Sequence, residues 1–240
     1  MIELGVENCD IGWDNRENLL VKDCCLHLQF TGNRRALPIV GRSGLGKSTL
    51  LYLISGLKKP LNPEASIVWT NQGNSIVEFS SSDPDNESLY GKHFSYAFQN
   101  AALLPFLTIK ENIQLYLQNA GIPEDDAEQR SENILVRLYP RLHGNIRDKY
   151  PSQLSGGQQQ RAALGKCIAS DAKIIFADEP TGTLDRTTRK DILELVSEWM
   201  GADSDRCFIW VTHHEDEKEI LNAPWHIEIS ENRVSLVDCD

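Results

Sequence analysis

The residues best suited to chemistry lie in a glycine-rich loop between two apolar runs. In ALPIVGRSGLGKSTLLYLI, four residues match the spacing GxxxxGK[ST]. Glycines let backbone N–H groups turn inward around a phosphate, and a helix that begins at the loop adds the positive end of its dipole. The lysine can reach the terminal phosphates, and the next hydroxyl can ligate Mg²⁺. The predicted phosphate-binding residues are Gly41, Arg42, Ser43, Gly44, Leu45, Gly46, Lys47, Ser48 and Thr49.

A pair of carboxylates follows a second apolar run, in AKIIFADEPTGTLD. Residues 174–177 read as a buried strand that ends at Asp178 and Glu179, and ligands collect at the carboxyl ends of parallel strands. Asp178 is suited to hold Mg²⁺ through water and Glu179 to polarise an attacking water. Two such carboxylates alone are more often a solvated strand end. Together with the glycine loop, they predict a nucleoside triphosphatase.

The elements that must position these residues can be read from the pattern around them. Residues 36–40 predict a strand before the loop, and an apolar helix continues after it. From Thr108 the pattern turns helical, with a Thr108–Glu111 capping box opening one helix. Pro123 starts a second helix, which Pro140 stops. Strand and helix alternate again from residue 173, which is typical of a parallel α/β core.

Composition limits the class of partner. The 240 residues carry a formal charge of −11, which argues against non-specific binding to nucleic acid or anionic lipid. The six cysteines show no CxxC or zinc spacing, so reduced and mostly buried thiols are expected. No secretory signal is visible, and the apolar runs are shorter than the roughly 20 residues that a spanning helix needs. We therefore expect no direct insertion into a membrane.

Four further segments resemble, in order, the motifs of ATP-binding cassette (ABC) ATPases. AFQNAALLPFLTIKENI resembles the Q-loop, with Gln99 as its glutamine, and LSGGQQQR resembles the signature motif. ADEPTGTLD resembles the Walker B run that continues into the D-loop, with Asp185 as its aspartate, and WVTHH resembles the switch segment, with His213. The resemblance covers nearly the whole chain and implies ATP and Mg²⁺ as ligands.

This resemblance implies a fold and a set of roles. The fold would be α/β, with a RecA-like P-loop parallel-sheet core, an antiparallel β subdomain and an inserted helical subdomain near residues 100–165, all within one cassette domain of residues 1–240. Glu179, His213 and Gln99 would be catalytic, and the metal would be held by Ser48, Gln99 and Asp178. The signature residues would bind the ATP of a partner subunit; they are Ser155, Gly156, Gly157 and Gln158.

The implied partners are a second ATP-binding subunit, expected to be another copy, and a transmembrane permease on a separate chain. The cassette would then lie at the cytoplasmic face of the cell membrane, held there by the permease. ADEPTGTLD looks most like the branch that serves lipoprotein release, macrolide efflux and cell division. Two alternatives are a non-transport ABC ATPase of the DNA-repair, chromosome or translation type and a catalytically inactive regulatory cassette. Residues 47 and 155 lie too close for an intervening long coiled coil, and the intact Lys47 and Glu179 oppose an inactive cassette.

Some positions depart from the family pattern. Gly165 and Lys166 stand where the family usually has Ala-Arg, and a glycine inside a helix predicts bending or tight packing. His214 stands where Asp is common. Trp13 occupies the place of an aromatic residue that stacks on adenine, although Tyr is commoner there and Trp13 could belong to the core instead.

Replacing Trp13 with Ala tests the stacking interpretation. We expect ATP binding to weaken by about 1–2 kcal/mol, as base–aromatic stacking generally contributes, while turnover at saturating ATP stays nearly unchanged. Fluorescent-nucleotide titration and steady-state kinetics measure the two quantities. Unchanged nucleotide affinity would assign Trp13 to the core.

Overall fold

A computed structural model describes residues 1–12, 19–81, 90, 92–140 and 143–238. The chain forms two compact units, one of residues 1–87 with 200–240 and the other of residues 88–199. The strands are β1 (Ile2–Gly12), β2 (Leu19–Phe30), β3 (Ala36–Gly41), β4 (Ser66–Asn71), β5 (Asn74–Phe79), β6 (Phe94–Ala97), β7 (Ile174–Asp178), β8 (Cys207–Val211), β9 (Trp225–Ser230) and β10 (Arg233–Asp238). The helices are α1 (Lys47–Ser55), α2 (Ile109–Asn119), α3 (Glu124–Leu138), α4 (His143–Ile146), α5 (Gly156–Ala169), α6 (Arg186–Gly201) and α7 (Glu215–Ile220).

The first unit contains an antiparallel sheet in the strand order β2-β1-β4-β5. Burial alternates along β2 from Cys24 to Phe30, so one face of this strand packs inward and the other meets solvent. The ring of Phe30 stacks on Trp69 with centroids 5.9 Å apart, and Trp69 Nε1 donates to the carbonyl of Ile54 in α1 at 2.7 Å. The bond satisfies the indole N–H inside the core, where an unpaired donor would be costly. This sheet is the antiparallel part of the predicted α/β fold.

The same unit contains a second set of strands in the order β10-β9-β3-β8. β3 is parallel to both β8 and β9, and β10 pairs antiparallel with β9. The segments CFIWV of β8 and ALPI of β3 are fully buried, as is typical of parallel strands that are covered on both faces. The strand predicted at residues 36–40 is therefore confirmed, and it lies in the interior of its sheet.

The second unit pairs the parallel strands β6 and β7 and contains helices α2 to α5. The predicted capping box opens α2: Thr108 Oγ1 accepts from the Glu111 N–H, and the Glu111 carboxylate accepts from the Thr108 N–H. Pro123 precedes α3, whose first turn carries three acidic residues that suit the positive end of the helix dipole. The two predicted helix starts are thus confirmed.

The five cysteines in the described residues are unpaired thiols, and four of them are buried. Burial raises the pKa of Cys9 and Cys24 to about 12, so both stay protonated at neutral pH. Within the described part of the chain, no helix has the length and apolar composition needed to cross a bilayer.

The glycine inside α5 is explained by tight packing. A Cβ atom on Gly165 would collide with the buried side chain of Leu138 in α3. α3 and α5 can approach this closely only because position 165 has no side chain. The tight packing predicted from Gly165 is what the structure shows.

Replacing Gly165 with Ala should destabilise the protein in spite of its better helix propensity. The gain in propensity is about 1 kcal/mol, whereas overpacking a core costs about 1–3 kcal/mol, so we expect a net loss of about 1 kcal/mol. The matched control is Gly201→Ala, at the end of α6, where a Cβ meets nothing within 4 Å. Urea unfolding measures both; a Gly165→Ala protein as stable as the control would contradict the packing argument.

Candidate nucleotide site

The glycine-rich loop joins the buried strand β3 to helix α1, in the order that the sequence predicts. Lys47 is the first residue of α1 and is only 6% exposed. Its Nζ donates to the carbonyls of Gly41 and Arg42, both at 3.0 Å. Arg42, Ser43 and Gly44 are exposed. The loop therefore folds over the lysine and holds its ammonium group at the base of the loop, beside the backbone that would contact phosphate.

Two glycines make this loop geometry possible. Gly41 has a φ of 143°, and a Cβ there would collide with the carbonyl oxygen of Ile229 in the neighbouring strand β9. Gly46 caps α1 with a φ of 95°, and a Cβ there would lie 2.9 Å from Leu20 Cδ1. Both positions combine a left-handed backbone with a close approach, so each requires glycine. The two glycines of the motif therefore stand at the two positions where the loop cannot accept a side chain.

His213 reaches the same region as the loop because β3 and β8 are parallel neighbours. Ile39 pairs with Val211, and Gly41 and His213 each lie two residues beyond that pair. The N–H of Thr212 donates to the Ile39 carbonyl at 3.2 Å, which extends the pairing past the end of β8. Gly41 and His213 line one cavity of about 650 Å³, with Arg42, Leu45 and His214 among its other lining residues. The first unit thus brings the predicted switch histidine to the predicted phosphate loop.

In the second unit, the pairing of two parallel strands likewise brings Gln99 and Glu179 together. Ala97 of β6 pairs with Ala177 of β7, and each functional side chain follows two residues later. Gln99 Nε2 donates to Glu179 Oε2 at 2.8 Å. Glu179 also has a φ of 46°, a conformation that a non-glycine residue adopts only where its surroundings impose it. The carboxylate proposed from the sequence as the base is therefore held by the glutamine of the Q-loop segment.

Asp178 ends the buried strand β7 and is 3% exposed. A carboxylate, an amide oxygen and a hydroxyl are the hard oxygen ligands that Mg²⁺ prefers, and Asp178, Gln99 and Ser48 supply one of each. Each of these residue types therefore suits the metal that the resemblance implies. Within the described residues, no group of three or more His, Cys, Asp or Glu side chains could hold a metal ion by itself.

The signature segment begins helix α5. Ser155 is the N-cap, its Oγ accepting from the Gln158 N–H at 3.3 Å while Gln158 Oε1 accepts from the Ser155 N–H at 3.0 Å. Gly156 is exposed, and a Cβ on it would meet nothing within 4 Å. Gly157 instead faces Leu184, whose Cδ2 would lie 2.9 Å from an added Cβ. The first turn of α5 is thus open on one side and packed on the other.

Asp185, the predicted D-loop aspartate, lies at the start of α6. Its Oδ1 accepts from the Thr188 N–H at 3.0 Å, which is a helix-capping bond. That backbone bond lowers the pKa of the Asp185 carboxyl, so the group is ionised at neutral pH. Trp13, the proposed adenine contact, lies outside the described residues.

The loop after Gln99 presents apolar side chains outward. Leu104 is 38% exposed and Phe106 is 70% exposed. Asn112, buried in α2, clamps the backbone of this loop: its Oδ1 accepts from the Leu104 N–H at 2.7 Å and its Nδ2 donates to the Leu104 and Leu107 carbonyls at 3.1 Å. The loop is therefore exposed but anchored.

The lysine that departs from the family pattern anchors the same loop. Lys166 is 7% exposed, its Nζ donates to the Ala102 carbonyl at 3.3 Å, and it lies 5.2 Å from the ring centroid of Tyr116. Burial lowers the pKa of the Lys166 ammonium group. At the position where the family usually has Arg, the buried amino group of Lys166 thus holds loop backbone.

The sequence singled out Gln158 among the three glutamines of the signature segment, but Gln160 is the buried one. Its side chain bonds to the Q-loop segment and to the segment before α6. The available signal was a long polar side chain one turn into the helix, shortly before the apolar residues 162–164. That signal does not say what the side chain contacts.

The sequence profile of the protein family described as "ABC transporter" matches residues 28–182, more than half of the chain. The chain belongs to the ABC transporter family. The ABC transporter ATP-binding protein YtrE of Bacillus subtilis is 36% identical to this ABC chain over 219 residues, covering 90% of the chain and 89% of YtrE. The lipoprotein-releasing system ATP-binding protein LolD of Wigglesworthia glossinidia brevipalpis is 35% identical over 182 residues, covering 76% of the chain and 75% of LolD.

A third relative is much longer than the ABC chain. The macrolide export ATP-binding/permease protein MacB of Hyphomonas neptunium is 36% identical over 199 residues, which are 82% of the chain but 29% of MacB. The expected resemblance to the lipoprotein-release and macrolide-efflux branch is confirmed by these relatives. The matched residues therefore span less than a third of MacB.

A solved structure supports the fold. The ATP-binding cassette MJ0796, in a dimeric post-hydrolysis state bound to ADP and Pi, superposes with a TM-score of 0.81 at 25% identity, covering 99% of each chain. The predicted cassette fold is therefore confirmed. The ABC chain is an ATP-binding subunit of the transporter class and an ATPase.

Proposed function

We propose that this chain hydrolyses ATP within a head-to-tail pair of cassettes and thereby energises a separate transmembrane permease. The observation that carries the proposal is the open first turn of α5, where Ser155 and Gly156 are exposed and no side chain covers the glycine. A helix N-terminus of this kind offers unpaired N–H groups and a positive dipole to an anion. The dimeric MJ0796 cassettes support pairing. The γ-phosphate held by one subunit's glycine loop would be the anion that the other subunit's α5 binds.

The chemistry follows from the side chains. Lys47 would exchange the Gly41 and Arg42 carbonyls for the terminal phosphates of ATP, since its Nζ already lies at the base of the loop. Glu179 would accept the proton of the attacking water, and His213 would contact the γ-phosphate. Ser48, Gln99 and Asp178 would hold Mg²⁺, which when bound neutralises the charge that develops on the phosphate oxygens.

Coupling to a permease is supported by the anchored apolar loop. Leu104 and Phe106 are exposed while Asn112 and Lys166 hold the backbone on either side of Leu104. A rigid apolar surface of this kind suits a short amphipathic helix, because its side chains need little ordering on binding. We assign as occupant a cytoplasmic helix of the permease, on a chain separate from this one, as the names and matched lengths of YtrE and LolD suggest. The cassette would lie at the cytoplasmic face of the membrane through this contact.

Replacing Glu179 with Gln should separate binding from hydrolysis. The amide keeps the hydrogen-bonding shape of the side chain but cannot accept the water proton, and a positioned base contributes ~10²–10⁴-fold to turnover. We expect nucleotide affinity near that of the wild type and turnover lower by that factor. The control is Glu194→Gln on the exposed side of α6, which should keep both. Full turnover in Glu179→Gln would place the base elsewhere.

A mixture of two inactive variants tests whether the signature serves the ATP of the other subunit. Lys47→Ala damages the glycine loop, and Gly156→Asp places a carboxylate at the open turn of α5, where a side chain fits without collision. Gly157→Asp is less suitable, because a Cβ there would press on Leu184. In a mixed dimer one composite site receives both defects and the other joins an intact loop to an intact signature.

We therefore expect the mixture to trap ATP in a dimer that neither variant forms alone. Both chains carry Glu179→Gln to slow release, and trapped nucleotide is measured after size exclusion. If each signature served the ATP of its own chain, every site would carry a defect. In that case the mixture would trap no more ATP than the separate variants.

A further inference from the structure

Gln160 lies at the meeting point of three functional segments, all within the unit of residues 88–199. It belongs to the signature helix α5 and is 6% exposed. Its Nε2 donates to the backbone carbonyl of Gln99 at 3.2 Å. Its Oε1 accepts from the Thr183 hydroxyl at 2.6 Å and from the Thr183 N–H at 3.3 Å. Both polar ends of one buried amide are thus bonded, each to a different segment.

These bonds close a ring around the proposed base. The side chain of Gln99 donates to Glu179 at 2.8 Å, and the chain runs from Glu179 to Thr183 through a turn in which the Gly182 N–H donates to the Glu179 carbonyl at 3.2 Å. Gln160 joins Thr183 back to Gln99. Glu179 therefore lies in a closed hydrogen-bonded path, held through its carboxylate at one point and through its backbone at another.

The ring explains how Glu179 keeps its unusual backbone. A left-handed conformation costs a non-glycine residue of order 1–3 kcal/mol and persists only where neighbouring contacts impose it. The turn to Thr183 and the bond from Gln99 are such contacts, and both depend on Gln160 at their far ends. An apolar side chain could fill the same space, but it would leave the Thr183 hydroxyl and the Gln99 carbonyl without this partner.

We propose that Gln160 is a positioning residue for ATP hydrolysis: it fixes Gln99 against Glu179 and ties both to the segment that leads into α6. The inference rests on the proposed roles of Gln99 and Glu179. Gln160 acts through these two residues and not through a contact with the nucleotide. Its effect should therefore appear in kcat rather than in the affinity for ATP.

The substitution Gln160→Glu removes the hydrogen-bond donor of the side-chain amide and keeps an acceptor. A carboxylate at this position still accepts from Thr183, but it faces the Gln99 carbonyl with an oxygen where the wild type has an N–H donor. A small misplacement of a catalytic group can cost up to about 10²-fold in rate. At pH 8 we expect a kcat about 10–100-fold below that of the wild type, with KM for ATP changed less than about threefold.

Lowering the pH should restore the missing donor. Protonation of the carboxyl introduced at position 160 supplies an O–H group that can donate to the Gln99 carbonyl, and burial raises the pKa of such a carboxyl. The ratio of kcat in Gln160→Glu to kcat in the wild type should therefore rise as pH falls from 8 to 6.

Two matched variants complete the experiment. Gln159→Glu introduces the same change in the neighbouring residue, whose Nε2 donates to the Pro151 and Leu154 carbonyls at 2.9 and 3.3 Å rather than to the Q-loop segment. Its kcat ratio should stay near one at every pH. Gln160→Met loses both the donor and the acceptor, so its kcat should be low. The ratio of its kcat to that of the wild type should not change with pH.

Each possible result either supports or contradicts the role proposed for Gln160. Three results would each overturn the inference while leaving the proposed function intact. The first is a wild-type kcat in Gln160→Glu at pH 8, and the second is an equal loss of kcat in Gln159→Glu. The third is a loss in Gln160→Glu that does not recover at pH 6, in protein that circular dichroism shows to be folded. Full turnover in Glu179→Gln, measured alongside, would overturn the role of the base and the inference with it. If the Gln160 variants do not fold, Thr183→Val decides, because Thr183 is exposed: a kcat about threefold lower supports the ring, and an unchanged kcat contradicts it.

Discussion

Parallel strand pairing is the constraint on which the rest of the site depends. β3 pairs with β8 and β6 pairs with β7, and in each pair the functional side chains follow the last matched residues by the same two positions. In parallel pairs the carboxyl ends of both strands lie at the same edge, so equal offsets bring the following residues together. A one-residue slip would move every side chain of a strand to the opposite face. Because these strands are buried on both faces, such a slip would exchange the side chains that pack on the two faces and disturb the packing of both.

Gly41 and Lys47 of the phosphate loop meet two different constraints, one steric and one electrostatic. Gly41 ends β3 against the backbone of β9, where any side chain would collide with a carbonyl. The ammonium group of Lys47 lies in a nearly buried place, where an unpaired charge would be costly, and two loop carbonyls accept its hydrogen bonds. The hydrogen bonds within the loop therefore give it a defined shape, so that binding a phosphate costs less ordering.

Buried polar side chains also hold backbone in a defined shape in the unit of residues 88–199. Asn112 and Lys166 hold the backbone of an exposed apolar loop, and Gln160 joins segments that lie far apart in the chain. Each forms hydrogen bonds to backbone or hydroxyl groups of a different segment. Such networks are worth most when every member is satisfied, and they then select a single arrangement of the segments they join.

The family, the fold class, the nucleotide, the helix starts at Thr108 and Pro123 and the buried strands around the glycine loop could all be predicted from the sequence. Those features rest on local signals: motif spacing, capping residues and apolar runs, each read within about a dozen neighbouring residues. Three contacts became visible only in the folded chain: Gln99 donates to Glu179, Gly165 makes room for Leu138, and Gln160 rather than its neighbours reaches Thr183. These contacts join residues 23 to 80 positions apart in the chain. No local pattern encodes them, because they depend on which strands pair, in which register, and on how closely two helices approach.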